Sequence, residues 1–274
     1  MNTDRNATTH KTTRWLKTIL NNHLHLNNRY NTINSNTLAS ELVKPKINTH
    51  HRLITLDIKD LYVNVPIQET LNLTRTHLRI HNDKQTTHQI MTLLNIILRQ
   101  NYFSFLGQIY QPDKGVAMDS PISGTMAEVF LQQLENSIIK HFTDVKILSF
   151  YTRYVDDIFL IYDSTRTNPD NILLYIDTIH GSIHLNPTME STNNVNFLDL
   201  SITRKPTCLG ISIFRKPTFT DTTINFLSNH PLEHKMAAYR FLIRRMLSLP
   251  LDKEHQYKEW QHHITRCRQQ RNPP

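Results

Sequence analysis

Glycine and cysteine are scarce in this chain of 274 residues, and long apolar runs are absent. Its 5 glycines are about 2% of the residues against roughly 7% in average proteins, which excludes a glycine-rich phosphate loop. Cys208 and Cys267 are too few for a disulfide framework and too isolated for a zinc module, so they fit a reducing compartment. The chain has neither a transmembrane-length apolar run nor a signal-peptide core at its polar N-terminus. We therefore expect a nuclear or cytoplasmic protein with no membrane partner.

Positive charge is in excess along the chain. The formal net charge is +8 and the isoelectric point is near 9.5, which favours a polyanionic partner, with nucleic acid as the leading choice. The hydrophobic fraction of 38% is enough for a packed core, in one large domain or two small ones.

Hydrophobic periodicity predicts strands that alternate with helices. Helices are predicted over residues 15–26, 38–43, 67–80, 86–100, 121–140, 169–180, 231–249 and 252–268. Strands are predicted over residues 51–58, 195–203 and 210–216, and hairpins over residues 102–110 and 147–162. The pattern indicates an α+β fold, in which an antiparallel sheet with packed helices is followed by a helical C-terminal segment.

Two adjacent acids, Asp156 and Asp157, lie between two apolar runs that read as the strands of a hairpin. Neighbouring carboxylates repel each other unless a cation neutralises them, and Mg²⁺ prefers oxygen ligands. Asp57 ends another predicted strand, and two neighbouring strands of one sheet would bring the three acids together. Such clusters hold two divalent metals for phosphoryl transfer. The alternative is an ordinary surface turn, where aspartate is common.

Five ordered segments resemble reverse transcriptases, and among these the polymerases of Penelope-like retroelements. Residues 56–66 (LDIKDLYVNVP) resemble motif A, residues 115–123 (GVAMDSPIS) resemble motif B, and residues 154–157 (YVDD) resemble motif C. Residues 196–200 (NFLDL) and 214–218 (FRKPT) resemble the strands that follow in Penelope-like elements, and residues 228–235 are also like that group. Order and spacing match over roughly residues 29–250, which is most of the chain.

The resemblance implies a polymerase palm with a two-metal site. Asp57, Asp156, Asp157 and the backbone carbonyl of Ile58 match the ligands of two Mg²⁺ ions, with Mn²⁺ as an alternative ion. Tyr62 matches the steric gate that favours deoxynucleotides, although a core tyrosine is the alternative.

Further positions match the segments that contact nucleotide and nucleic acid. The segment under the incoming nucleotide and template corresponds to Gly115, Ser120 and Pro121. The residues expected to contact nucleic acid are Phe214, Arg215, Lys216, Lys235 and Arg244. A solvated basic turn and a solvated helix face are the alternatives for this last group, because basic residues also occur there without a ligand.

The chain departs from the family pattern in two ways that bear on activity. Asp119 stands where motif B normally has glycine, and a carboxylate beside a triphosphate is electrostatically unfavourable. Only 56 residues precede Asp57, fewer than the fingers region of the family occupies, and we expect the thumb to be cut short after residue 270. We therefore expect a truncated copy, with the fingers largely missing and a partial helical thumb.

These observations predict three segments and one function. A polar, helical N-terminal segment covers residues 1–28, the reverse transcriptase palm covers residues 29–220, and a helical thumb-like segment covers residues 221–274. The expected function is RNA-directed DNA polymerisation, with an RNA template, a DNA primer and dNTP as partners, unless truncation has abolished activity. The alternative is a catalytically dead remnant of a mobile element that binds nucleic acid.

Overall fold

Helices and strands alternate along the chain in the computed structural model, which describes residues 8–26, 29–100, 102–218 and 223–271. The helices in this part are α1 (Thr8–His23), α2 (Ser35–Leu42), α3 (Leu61–Asn64), α4 (Ile67–His81), α5 (Lys84–Arg99), α6 (Ser123–Asp144), α7 (Pro169–Ile179), α8 (Leu232–Ser248) and α9 (Lys253–Arg271). The strands are β1 (His51–Ile58), β2 (Phe103–Phe105), β3 (Gln108–Tyr110), β4 (Leu148–Tyr154), β5 (Asp157–Asp163), β6 (Leu185–Met189), β7 (Asn194–Phe197), β8 (Leu200–Arg204) and β9 (Leu209–Ile213).

The chain forms two compact units, each built from three stretches of sequence. The first unit comprises residues 1–31, 57–147 and 168–186, and the second comprises residues 32–56, 148–167 and 187–274. The three predicted segments follow a different division and stay a prediction, and their boundary after residue 220 lies outside the described residues.

The first unit is mainly helical. α4 packs against α5 and α6, and α1 packs against α5. In α5 the apolar residues Ile90, Leu94 and Leu98 recur at helical spacing and are buried, as their periodicity predicts. α5 begins at a cap in which Asp83 accepts a hydrogen bond from the Thr86 amide at 2.8 Å. A short antiparallel hairpin, β2–β3, turns at Gly107, where the backbone adopts the left-handed region with φ 78°.

The second unit carries two sheets. A four-stranded sheet has the order β4-β5-β1-β6, and an antiparallel three-stranded sheet has the order β7-β8-β9. The last two residues of β1 and the first two of β6 belong to the first unit. Fully buried side chains from α2, β5 and β8, including Leu38, Phe159 and Ile202, form one apolar core in this unit.

Most predicted elements are confirmed, and so is the α+β class with antiparallel strands and packed helices. The single strand predicted over residues 195–203 is wrong, because the chain turns at Leu198-Asp199 and divides into β7 and β8. Leu198 takes a left-handed backbone with φ 56°, and a leucine gives no sequence signal for that conformation. The short strand β6 was not predicted, because its residues are polar and include Pro187. Over the described residues, no helix is both long and apolar enough to span a bilayer.

Candidate functional site

The paired acids lie at the tip of the β4–β5 hairpin, as predicted. Tyr154 pairs with Asp157, so that Val155 and Asp156 form the turn. Val155 has φ 56°, a left-handed conformation that a β-branched side chain rarely adopts. Such strain costs on the order of 1–3 kcal/mol and is typical of functional sites. Both Asp156 and Asp157 are partly exposed.

A buried arginine supports this turn from beneath. Arg153 is the last residue but one of β4 and only 1% exposed. Its Nη1 donates to the Val155 carbonyl at 2.9 Å, and its own carbonyl accepts from the Thr32 amide at 2.9 Å. Arg153 was not predicted as part of the site, although a charged residue inside an otherwise apolar strand is a signal of a specific buried contact.

Asp57 lies near the end of β1, where its side chain is exposed. Its Oδ2 accepts a hydrogen bond from Asn186 Nδ2 at 3.4 Å, and the following Ile58 is 3% exposed. β1 is the neighbour of β5 in the sheet, as the sequence predicts. Asp57 belongs to the first unit, whereas Asp156 and Asp157 belong to the second.

The motif A and motif B segments meet within the first unit. The Tyr62 carbonyl, in α3, accepts a hydrogen bond from the Val116 amide at 2.8 Å. Gly115 has φ 78°, and a Cβ at this position would lie 2.4 Å from the Val63 carbonyl oxygen. Only glycine therefore allows the two backbones to approach this closely. Tyr62 itself is partly exposed.

The rest of motif B forms a tight turn that leads into α6. The Ser120 amide donates to the Ala117 carbonyl at 3.0 Å, and the Ser123 hydroxyl donates to the same carbonyl at 2.5 Å. Ser120 and Pro121 are partly exposed, whereas Asp119 is exposed. The helix begins at Ser123, two residues later than predicted. The Asp119 carboxylate therefore lies on the surface beside the residues predicted to contact nucleotide.

The basic residues after β9 differ in how freely they could meet a phosphate. Phe214 is anchored by a hydrogen bond from its amide to the Asp199 carbonyl at 2.9 Å. The Arg215 guanidinium makes two hydrogen bonds, at 2.8 and 2.5 Å, to the carboxylate of Glu259, which is 8% exposed. Lys216 is exposed. Glu259 was not predicted as the partner of Arg215, because the two residues lie 44 positions apart in the chain.

Some basic side chains of α8 already have partners within the protein, whereas another is exposed to solvent. Lys235 Nζ donates to the carbonyls of Phe226 and Ser228 at 2.6 and 2.5 Å. Arg245 pairs with the Asp199 carboxylate at 2.5 Å. Burial lowers the pKa of Arg245, and the negative charge of Asp199 opposes this shift. Arg244, by contrast, is exposed.

The predicted metal ligands match Mg²⁺ in chemistry, because carboxylates and a backbone carbonyl supply oxygen atoms only. The two acids at the hairpin tip are adjacent in sequence, and the turn that carries them is supported by Arg153. Across the described ranges, no group of three or more His, Cys, Asp or Glu side chains is arranged to hold a metal ion. The donor set of these residues therefore fits the ion in its chemistry.

Comparison with solved structures shows a fold shared with telomerases. A Candida albicans telomerase in complex with a fragment of telomeric RNA has a TM-score of 0.63 and 12% identity, and the match covers 95% of this chain and 46% of that one. An apo telomerase from Candida tropicalis truncated from its C-terminal domain has a TM-score of 0.56 and 14% identity, covering 76% of this chain and 46% of that one. The chain thus spans less than half the length of these telomerases.

Comparison with sequence families and curated proteins gives two results. No curated protein matches the chain. The family model described as reverse transcriptase (RNA-dependent DNA polymerase) matches residues 5–188. The match covers more than half of the chain and includes motifs A, B and C with their paired acids. The chain therefore belongs to the reverse transcriptase family.

Proposed function

We propose that this chain is the RNA-directed DNA polymerase domain of a Penelope-like retroelement, which transfers a nucleotide from dNTP to a primer 3′-hydroxyl. The observation that carries the proposal is the acid pair Asp156-Asp157 on a strained, supported turn, in a chain that belongs to the reverse transcriptase family. Strain of this kind persists where the surrounding structure over-determines it, and it clusters at functional sites.

In this proposal, Asp57, Asp156, Asp157 and the Ile58 carbonyl hold two Mg²⁺ ions, or Mn²⁺ as the alternative. When bound, such ions lower the pKa of the primer hydroxyl and offset charge on the leaving group. The turn that Arg153 supports orients the two carboxylates before substrate arrives.

The motif A and motif B segments would form the nucleotide site. Tyr62 would exclude a 2′-hydroxyl by contact with its ring, which favours deoxynucleotides. Gly115 keeps the motif B backbone close to α3, and Ser120 and Pro121 would then lie under the incoming base pair. The main-chain hydrogen bond between Tyr62 and Val116 supports this assignment, because it links the two segments.

Template and primer would be bound by the basic residues of the second unit. Lys216 and Arg244 are exposed and able to contact phosphate without changing partners. Arg215 would have to exchange the Glu259 carboxylate for a phosphate, and Lys235 would act by ordering the turn at Phe226–Ser228. Phe214 would position the primer-gripping segment.

A second function, binding of nucleic acid without catalysis, is favoured by one observation. The exposed Asp119 puts negative charge beside the proposed nucleotide site. A copy of this kind would keep its basic surface and lose nucleotide transfer.

Primer extension tests the first function against the second. On an oligo(dT)-primed poly(rA) template with Mg²⁺ or Mn²⁺, we expect the wild-type chain to extend the primer with dTTP. Asp156→Asn should lower the rate by about a thousandfold or more, because it removes a metal ligand worth several kcal/mol in the transition state. Asp144→Asn, at the exposed end of α6, is the matched control and should leave the rate unchanged.

The variant Asp119→Gly distinguishes a polymerase that is inhibited by the Asp119 carboxylate from a chain that binds nucleic acid without catalysis. We expect this variant to extend the primer faster than wild type, because it removes negative charge from the nucleotide site. If neither wild type nor Asp119→Gly extends the primer, while Asp156→Ala still binds nucleic acid, the polymerase proposal is wrong and the remnant is supported.

A further inference from the structure

The first unit contains a groove between α4 and α5 that is lined by cations on both walls. Its cavity volume is about 620 Å³. Arg75 and Arg79 line it from α4, and Lys84 and Arg99 line it from α5. No Asp or Glu is among its lining residues. An extended surface of one sign attracts a ligand of the opposite sign.

These cations are not neutralised by acids within the described residues. Arg75, Arg79 and Lys84 are exposed and make no ion pair there, and Arg99 donates only to the neutral Asn95 side chain, at 2.9 Å. The α4–α5 helical hairpin contains two acids, and each has a partner other than the groove cations. Glu69 pairs with His180 at 2.9 Å, and Asp83 caps α5. The positive charge of the groove is therefore available to a ligand.

A buried hydroxyl bordering the groove is also left without a partner. Thr87 is 4% exposed and lines the groove, and its Oγ1 makes no hydrogen bond. An unsatisfied buried hydroxyl costs about 1–3 kcal/mol. The Thr87 oxygen is itself closed to solvent, so the argument for a ligand rests on the charges and their spacing.

The spacing of the cations distinguishes an extended ligand from a single phosphate. Lys84 and Arg99 lie at opposite ends of α5, about 22 Å apart at 1.5 Å per residue. Arg75 and Arg79 lie one helical turn apart on the facing wall. Donors that bind one phosphate converge on a point, whereas these are distributed along a line. We propose that the α4–α5 groove binds the sugar–phosphate backbone of a nucleic acid strand.

No lining residue of the groove belongs to motifs A, B or C, so the groove would add a contact that these motifs do not supply. Binding at the groove rests on the proposed function only for the identity of the ligand, nucleic acid, and it requires no catalysis. The phosphodiester backbone is common to RNA and DNA, so the groove should bind either strand without reading its sequence.

Binding measurements with a charge-matched control test this groove. The variant Arg75→Gln/Arg79→Gln removes two groove cations, and Lys17→Gln/Lys140→Gln removes two exposed cations from α1 and α6 of the same unit. Fluorescence anisotropy would follow labelled single-stranded RNA and DNA of about 20 nucleotides, at roughly 50 to 200 mM salt. The plot of log K against log salt has a negative slope, and each lost phosphate contact reduces the magnitude of that slope by roughly 0.7 for single strands.

We expect the groove variant to bind RNA and DNA at least roughly tenfold more weakly than wild type at 0.1 M salt. The magnitude of its salt slope should be smaller by about 1.4, because two contacts are lost. The control pair should change the affinity less than about twofold. Equal effects of the two variants would overturn the groove and leave the polymerase proposal intact. Weakened binding to phosphatidylserine vesicles with unchanged oligonucleotide binding would also overturn it. If wild type binds no nucleic acid at low salt, the proposed function itself fails.

Discussion

At the scale of the residue, the hairpin tip combines a strained valine with a buried arginine. Val155 holds a left-handed backbone, and Arg153 Nη1 binds its carbonyl oxygen. A guanidinium that is 1% exposed needs its donors satisfied, because burying a charge without partners is very costly. The hydrogen bond to Val155 is therefore part of what keeps the turn in its strained form.

Replacing the strained valine should stabilise the protein. Val155→Asn is expected to raise the free energy of unfolding by about 1 kcal/mol, because asparagine tolerates the left-handed region far better than a β-branched residue. Val145→Asn is the matched control. Val145 is 41% exposed and Val155 43% exposed, but Val145 has an ordinary φ of −88°. Urea unfolding measures both, and an equal change in the two variants would show that strain is not the cause.

Residues that carry a motif can be proposed as site residues from the sequence, whereas residues that act through distant contacts cannot. Asp57, Asp156 and Asp157 follow from strand ends and from resemblance. Asn186 donates to Asp57 from 129 residues away, and Glu259 pairs with Arg215 across 44. Such partners depend on how the chain folds back on itself, and a single sequence carries no local pattern for them.

At the scale of the element, α3 and the first residues of motif B form a contact that depends on one glycine. Gly115 lies against the Val63 carbonyl, and the next residue donates to the Tyr62 carbonyl. The helix α3 is only four residues long, too short to be stable from its own hydrogen bonds. This contact therefore stabilises the segment that carries the proposed steric gate.

Two glycines with the same backbone angle allow the contact to be measured. Gly107 and Gly115 both have φ 78°, but a Cβ at Gly107 meets nothing within 4 Å, whereas one at Gly115 lies 2.4 Å from backbone. Gly107→Ala should cost about 1–2 kcal/mol for the left-handed backbone alone. Gly115→Ala should cost about 1–3 kcal/mol more, for overpacking. Chemical denaturation of both variants gives the difference, and equal losses would contradict the close approach.

The elements themselves were largely predictable, and the exceptions have local causes. Amphipathic spacing predicts α4 and α5 to within two residues at each end, because each helix buries one apolar face. The division of residues 195–203 into β7 and β8 was missed, since Leu198 makes the turn without Gly or Asn. Asp199 in that turn is held by Arg245 and Ser35, which are distant in sequence.

At the scale of the whole molecule, net positive charge sets how stability responds to pH. The chain carries +8 with neutral histidines, and it has 16 histidines. As the pH falls, the net positive charge rises further, and repulsion between like charges destabilises the compact state. Burial lowers the pKa of His51. A base with a depressed folded pKa contributes stability above its unfolded pKa and loses it as pH falls through the folded value.

We therefore expect the free energy of unfolding to fall by on the order of 1 kcal/mol or more between about pH 7.5 and 5.5 at low salt. Added salt should recover much of the loss, because it screens repulsion between exposed charges. Urea unfolding at two pH values and two salt concentrations measures this. A loss that salt does not relieve would assign the effect to the lowered pKa of the partly buried His51 rather than to net charge.

The turn at Val155 and Asp156 sets catalysis against stability. A left-handed valine and two neighbouring like charges both weaken the free protein, and neither contributes to packing the core. Replacing Val155 or neutralising one of the two acids should raise the free energy of unfolding. Under the proposed function, either change should also lower the rate of nucleotide transfer. In a copy that is no longer selected for polymerisation, mutations that remove Val155 or one of the acids would therefore be stabilising. This sequence retains all three residues.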